Sequence, residues 1–351
     1  MTTRIRTRSA VVRTVPPHRT VAALLIFSIV VAACSAAPPG GAAGSAPGSD
    51  PSGVEAGVVR LYTSVTQDTV DAVNAAFAAA HPDISMEVFR APTGELNARI
   101  AAERREGRIR ADVLWLTDPL SMQPYAADDL LRAWSPPAAA RIDPAYRSDD
   151  YWGARLLNMV IVAGADVDPA PTDWDDLTDP AYRDAVVVPD PGFAGSAFGA
   201  LGYFALEEEY GPAHLQALSD NGTVQVQSPD EVVTGVAEER YKAGMTLDYS
   251  VRQAIERGSP VRMVWPESGA ITMYSPIAVL DSSEAVAGAE TYVDFVLDEE
   301  GQQAIAGTGW QPVHPDVEGP PVEGPQVTPD WDAASERREE LLEEYRALFG
   351  G

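Results

Sequence analysis

Two kinds of hydrophobic pattern divide the chain. Val21 to Val31 is an almost unbroken apolar run, interrupted by one Ser. It is too short to span a bilayer and matches the core of a signal peptide. From Val58 onwards short apolar runs alternate with amphipathic stretches. Val58-Val59-Arg60-Leu61-Tyr62 predicts a strand, and Val70, Val73 and Phe77 then recur on one helical face. His81-Pro82-Asp83 stops that helix. Ile84 to Phe89 alternates as a strand. Thr93 to Glu106 predicts a second helix, with Thr93 as N-cap and Leu96 and Ile100 on one side. Asp112 to Leu116 predicts a third strand, so Val58 to Leu116 reads as a βαβαβ unit with parallel pairing.

A second series follows. Leu156 to Ala163 is an apolar run that reads as a strand leaving the first unit. Ala185–Val188, Thr223–Val226, Met245–Leu247 and Val261–Trp265 predict strands, and helices are expected from about Ser196 and about Asp230. Ile271–Leu280 reads as a strand returning to the first unit. Thr291–Ile305 and Asp332–Leu348 predict helices, the latter with Leu341, Leu342, Tyr345 and Leu348 on one face. The expected architecture is α/β, two lobes joined by crossing segments, with a ligand cleft beyond the carboxyl ends of the strands.

The N-terminus sets the compartment. Arg4, Arg6, Arg8, Arg13 and Arg19 precede the apolar run, which ends in Val31-Ala32-Ala33-Cys34. That ending resembles the bacterial lipobox, whose Cys becomes the lipidated first residue of the mature protein. Cys34 is the only cysteine, so an internal disulfide is excluded. Ser35 to Gly57 is rich in Ala, Gly, Pro and Ser, a composition that predicts a flexible tether. The expected organisation is signal peptide 1–33, tether 34–57, lobe 1 from 58 to 160, lobe 2 from 161 to 270, then 271–351 returning to lobe 1 with the C-terminal helices.

Charge narrows the partners. The chain carries −27, and cleavage before Cys34, which removes five Arg and no acid, leaves −32. Such acidity argues against nucleic acid and against docking on anionic lipid. It does not forbid an anionic ligand, since backbone donors bind anions locally. Gly-x-Ser-x-Gly, His-Glu-x-x-His and P-loop patterns are missing, and the His residues lack metal-spaced partners. His81, His214 and His314 read as surface residues. No catalytic residues, cofactor or resident metal are expected, and the chain reads as a monomeric binding protein rather than an enzyme.

Three strand-to-helix junctions suit anions: Tyr62-Thr63-Ser64, Ala91-Pro92-Thr93-Gly94, and Asp190 through Gly195-Ser196-Ala197. Each offers free N–H groups, a helix dipole and small residues. Plain capping explains any one of them; three at equivalent strand ends favour binding.

These segments, with Gly94-Glu95-Leu96, Ala111-Asp112-Val113-Leu114, Asp173 to Pro180, Gly258-Ser259-Pro260-Val261 and Trp265-Pro266-Glu267-Ser268-Gly269, form an ordered set. The set resembles bacterial periplasmic-type binding proteins of the ferric-iron group, over most of Val58 to Pro315. The resemblance implies a two-lobe "Venus flytrap" fold, cleft binding with closure, and a membrane-embedded ABC permease as partner. Relatives in the wider group take up ferric ion, phosphonates, sugar phosphates, thiamine or polyamines. Iron-binding members use an adjacent Tyr pair. The matching segment here is Thr246-Leu247-Asp248-Tyr249-Ser250, with Asp248 where one Tyr is expected. A phosphoryl or phosphonyl ligand suits it better, Asp248 and Glu267 accepting from the organic end. Ser64, Thr93 and the Gly195-Ser196-Ala197 amides then hold the anion; Tyr62 and Trp115 suit the wall of the cleft, and Trp115 suits the core equally well. Ferric iron on Tyr249 is the alternative. An extracellular enzyme or a scaffold lipoprotein stand further off.

Overall fold

The computed structural model describes residues 57–350. The expected signal peptide, Cys34 and the expected tether up to residue 56 lie outside the described residues. One mixed sheet runs through the molecule in the order β2-β1-β3-β9-β4-β7-β5-β6.

On one side, β1 (Gly57–Thr63) pairs in parallel with β2 (Ile84–Arg90) and β3 (Val113–Trp115). Helices α1 (Gln67–Ala80) and α2 (Thr93–Arg105) make the crossovers, and α3 (Pro119–Ala127) follows β3. On the other side, β5 (Val186–Pro189) pairs in parallel with β6 (Val224–Val226) and β7 (Ala243–Leu247). There α4 (Gly195–Leu206), α5 (Gly211–Asp220), α6 (Pro229–Ala237) and α7 (Asp248–Glu256) intervene.

Two long strands cross between the sides. β4 (Trp152–Gly164) and β9 (Ala270–Val279) pair antiparallel with each other. β9 also pairs with β3, and β4 with β7 and with β8 (Val261–Val264). All ten residues of β9 are buried, which is why its sequence is mostly apolar and shows no polar–apolar alternation. The strands predicted at Leu156–Ala163 and Ile271–Leu280 are therefore parts of this crossing pair.

The chain ends on helices: α8 (Val286–Leu297) and α9 (Glu299–Gly307), then α10 (Trp331–Glu336) and α11 (Arg338–Phe349). The short strands β10 (Gln311–Pro312) and β11 (Gln326–Val327) lie between, paired with β4 and β9. α8 and α9 pack by α1, whereas α10 and α11 pack on α3, α4 and α5.

Several expectations change. The single helix over Thr291–Ile305 is two helices, parted at the extended residue Asp298. Gly301 permits the corner, since a Cβ there would lie 2.1 Å from the Phe295 carbonyl oxygen. The N-cap of α2 is Pro92, not Thr93; Thr93 is the first helical residue. His214 and His314 are buried. His214 stacks on Phe204 at 4.9 Å and bonds Asp175 through Nδ1 at 3.1 Å, because α5 turns that face inward. α3, whose N-cap Asp118 accepts from the Ser121 N–H, was not anticipated, nor were α5 and α7.

Candidate functional site

A cavity of about 310 Å³ lies where the carboxyl ends of the two groups of parallel strands converge. From the β1 side it takes Ser64 after β1, Arg90 at the end of β2, Thr93 opening α2, and Thr117 after β3. From the β7 side it takes Phe193, Gly195 and Ser196 at the start of α4, Asp230 and Glu231 in the first turn of α6, and Tyr249 and Ser250 in α7. Arg155 of β4 and Trp310, just before β10, also line it. The convergence follows from the topology: parallel strands all open their following helices at one end of the sheet.

The two walls touch. The Gly94 N–H donates to the Phe193 carbonyl at 3.4 Å. A Cβ on Gly94 would lie 2.4 Å from the Gly192 oxygen, and one on Gly195 only 2.3 Å from Asp118 Oδ2. Only glycine allows this approach. The Tyr249 hydroxyl donates to Asp68 on α1, a second tie between the walls. Ser64 Oγ and Thr117 Oγ1 are 2.8 Å apart and fix each other at the cavity edge.

Arg155 dominates the electrostatics. It is 1% exposed, and its Nε and Nη1 have no hydrogen-bond partner among the described residues. Its guanidinium carbon lies 3.9 Å from the Trp310 ring centre. Burial pulls its pKa down to about 9, against the opposing charge of the nearby Asp68 carboxylate. A buried cation with unused donors is costly, and an anion beside it removes that cost. Burial works to raise Asp68, but bonds from Tyr249, Thr66 and the Thr69 N–H, with Arg155 nearby, hold it below its ordinary value. Burial pushes the Tyr249 phenol well up, and the hydrogen bond and charge of Asp68 add to that. Burial also raises Asp118, to about 7, in spite of its bonds from Ser121.

Residues 59–311 match the family of bacterial extracellular solute-binding proteins. The chain belongs to that family. It is 27% identical over 187 residues to the spermidine/putrescine-binding periplasmic protein of Escherichia coli, covering 51% of this chain and 52% of that one. This solute-binding protein thus spans about half the length of that relative. Among solved structures it resembles AfuA of Actinobacillus pleuropneumoniae with fructose 6-phosphate bound. The TM-score there is 0.75 at 20% identity, covering 84% of this chain and 98% of AfuA. Iron-bound HitA of Pseudomonas aeruginosa gives a TM-score of 0.72 at 21% identity, covering 82% and 99%. The likeness to both is one of fold, the two-lobe periplasmic-binding-protein architecture. The family is one of binding proteins that serve ABC-type transporters outside the cytoplasm.

Of the residues expected in the site of this solute-binding protein, Ser64, Thr93, Gly195, Ser196 and Tyr249 line the cavity. Tyr62, Ala197, Asp248 and Glu267 do not. Tyr62 points to the other face of the sheet, toward α2. There its hydroxyl donates to Glu103 at 2.8 Å and accepts from Arg99 at 2.7 Å, beside a separate cavity of about 630 Å³. Ala197 is buried in α4. Asp248 is buried, and its oxygens already accept from Asn158 at 3.1 Å, Arg252 at 2.8 Å and the Tyr249 N–H at 2.8 Å. Glu267 is exposed in the turn after β8, its N–H bonded to the Thr172 carbonyl. Trp115 is core, fully buried.

Arg90, Arg155 and Trp310 were not anticipated. A signal for Arg155 did exist: it is a lone charge in the otherwise uncharged strand Trp152-Gly-Ala-Arg-Leu-Leu-Asn-Met-Val. A charge in a strand buried on both faces is held there for a partner or a ligand. Nothing local marked Trp310, which the pairing of β10 with β4 brings beside Arg155.

Proposed function

We propose that the cleft captures a small solute bearing a phosphoryl or phosphonyl group and delivers it to the membrane permease of an ABC importer. The reading rests on Arg155, a buried guanidinium with two unused donor atoms beside the cavity. Arg90 adds a second positive charge. Ser64, Thr93, Thr117 and Ser196 add hydroxyls, and α4 opens onto the cavity with free N–H groups. Charge-assisted hydrogen bonds contribute about 1.5–3 kcal/mol each. Exposed Asp230 and Glu231 at the mouth take the part expected of Asp248 and accept from a hydroxyl or amine on the organic end.

AfuA, with fructose 6-phosphate bound, agrees in ligand class. A polyamine, as named for the Escherichia coli relative, would bring its charge against Arg90 and Arg155. The ferric reading, which HitA favours by name, needs a free phenolate at Tyr249. That hydroxyl is held by Asp68, and its proton is retained more firmly than usual.

The test is calorimetric titration of the wild type and Arg155→Ala with fructose 6-phosphate, 2-aminoethylphosphonate, spermidine and ferric citrate. Wild type should bind a phosphoryl or phosphonyl compound, and Arg155→Ala should bind it about a hundredfold more weakly, the loss of two charge-assisted bonds. A coloured ferric complex that Tyr249→Phe abolishes would put iron first instead.

The same reading includes a division into lobe 1 (58–160), lobe 2 (161–270) and a returning segment (271–351), hinged in β4 and β9. It includes a monomer held to the membrane through Cys34.

A further inference from the structure

Trp310 sits where the two sides of the molecule meet. It follows α9, which packs on α1 of the β1 side. Its ring lies flat on Tyr249 of α7, from the β7 side, with centroids 4.1 Å apart and planes at 10°. The same indole lies 3.9 Å from the Arg155 guanidinium carbon. Tyr249 is held again by its hydrogen bond to Asp68 on α1, 181 residues away in the chain. Three residues beyond Tyr249, Arg252 Nη2 donates to the Gly309 carbonyl at 3.0 Å, beside Trp310. The Trp310 Nε1 is itself buried without a partner among the described residues, and the residue lines the cavity.

We propose that Trp310 is the positioning residue of the anion site: it holds the Arg155 guanidinium by stacking while Tyr249 clamps the same indole from the opposite wall. Filling the site and closing the cleft then reinforce each other. The inference rests on the reading of Arg155 as the anion receptor.

The physical reason is pre-organisation. A guanidinium with unused donors has many rotamers open to it, and the indole face selects one by cation–π attraction while leaving N–H edges free. Tyr249 can lie on that indole only when α7 has approached α1. The closed arrangement therefore stiffens the receptor, and an anion bound to Arg155 favours the closed arrangement in return. The indole Nε1–H is one more donor for the same anion.

The experiment uses the full-length protein with Trp310→Phe, Trp310→Leu, Tyr249→Phe, Tyr249→Ala and Arg155→Ala, each checked for folding by circular dichroism. Fructose 6-phosphate and 2-aminoethylphosphonate are titrated by calorimetry, and ligand-free protein is measured by small-angle scattering. Trp310→Leu and Tyr249→Ala should weaken binding at least tenfold. Trp310→Phe should recover most of it, because a phenyl face still stacks. Ligand-free Tyr249→Ala should show a larger radius of gyration than wild type, with Tyr249→Phe between them. Wild-type affinity in Trp310→Leu, alongside a dead Arg155→Ala, would overturn the positioning role and leave the anion site standing. Full binding by Arg155→Ala would remove the anion site and this inference together. If wild type binds neither probe, scattering decides: an unchanged radius in Tyr249→Ala overturns the clamp.

Discussion

Among the described residues, Arg155 and Asp118 are two fully buried ionisable groups whose charged forms burial disfavours. Arg155 is buried against the Trp310 ring, with Asp68 as a nearby opposite charge but with Nε and Nη1 unbonded among the described residues, so its charge is costly unless a further anion is present. With no ligand added, Arg155→Met should therefore melt no lower than the wild type by differential scanning fluorimetry. A clear drop would mean that the guanidinium is satisfied within the fold. Asp118 is fully buried, and burial raises its pKa from the ordinary 3.8 to about 7. A carboxyl with a raised folded-state pKa binds its proton more tightly in the native state. Its stabilising contribution is complete below about pH 4 and is lost as pH rises to about 7. At 1.36 kcal/mol per unit, the loss across that window is on the order of 4 kcal/mol. Denaturant unfolding at pH 5 and pH 8 should show this slope in the wild type and a shallower one in Asp118→Asn.

At the scale of elements, the site is a meeting of helix starts. α2 and α4 begin from opposite sides and come so close that the Gly94 N–H reaches the Phe193 carbonyl. Gly94→Ala would put a methyl group 2.4 Å from the Gly192 oxygen. The walls must then part, and ligand affinity should fall at least tenfold while the separate secondary structure, read by circular dichroism, stays unchanged. Ser196 lies in the first turn of α4, where its N–H has no intrahelical carbonyl to meet. Ser196→Pro should leave the helix intact, since Pro is tolerated there, yet weaken an anionic ligand about tenfold or more. An unchanged titration would show that α4 offers no donor to the ligand.

For the whole molecule, β4 and β9 are the two long strands that cross between the sides, the chain passes between the sides again from α9 to α10, and the proposed motion of one side against the other would bend these segments. Small-angle scattering of Gly94→Ala should give a larger radius of gyration than wild type, and saturating ligand should shrink the wild type or leave it closed. A radius identical in all three states would mean a rigid cleft. The anchor is tested apart from the cleft. Cys34→Ser should release the protein from the membrane fraction or leave it unprocessed, and normal processing with full membrane retention would dismiss the lipid anchor.

Periodicity alone marked β1, α1, β2, α2 and the crossing strands, because each is long enough for its apolar spacing to show and is bounded by Pro, Gly or capping residues. It marked the anion-suited starts of α2 and α4 for the same reason: a strand end, small residues and a helix beginning are all local. The α/β class and the two-lobe plan follow from the order of these elements. What tertiary structure decided was which groups share the cavity. Tyr62 and Asp248 stand beside the right strand ends, but the Tyr62 hydroxyl is bonded to Glu103 of α2 and the Asp248 oxygens accept from Asn158 and Arg252. Arg155 and Trp310 are 155 residues apart and meet only because β10 returns to β4. Side-chain direction and long-range contact arise from packing between distant segments, and no local pattern encodes them.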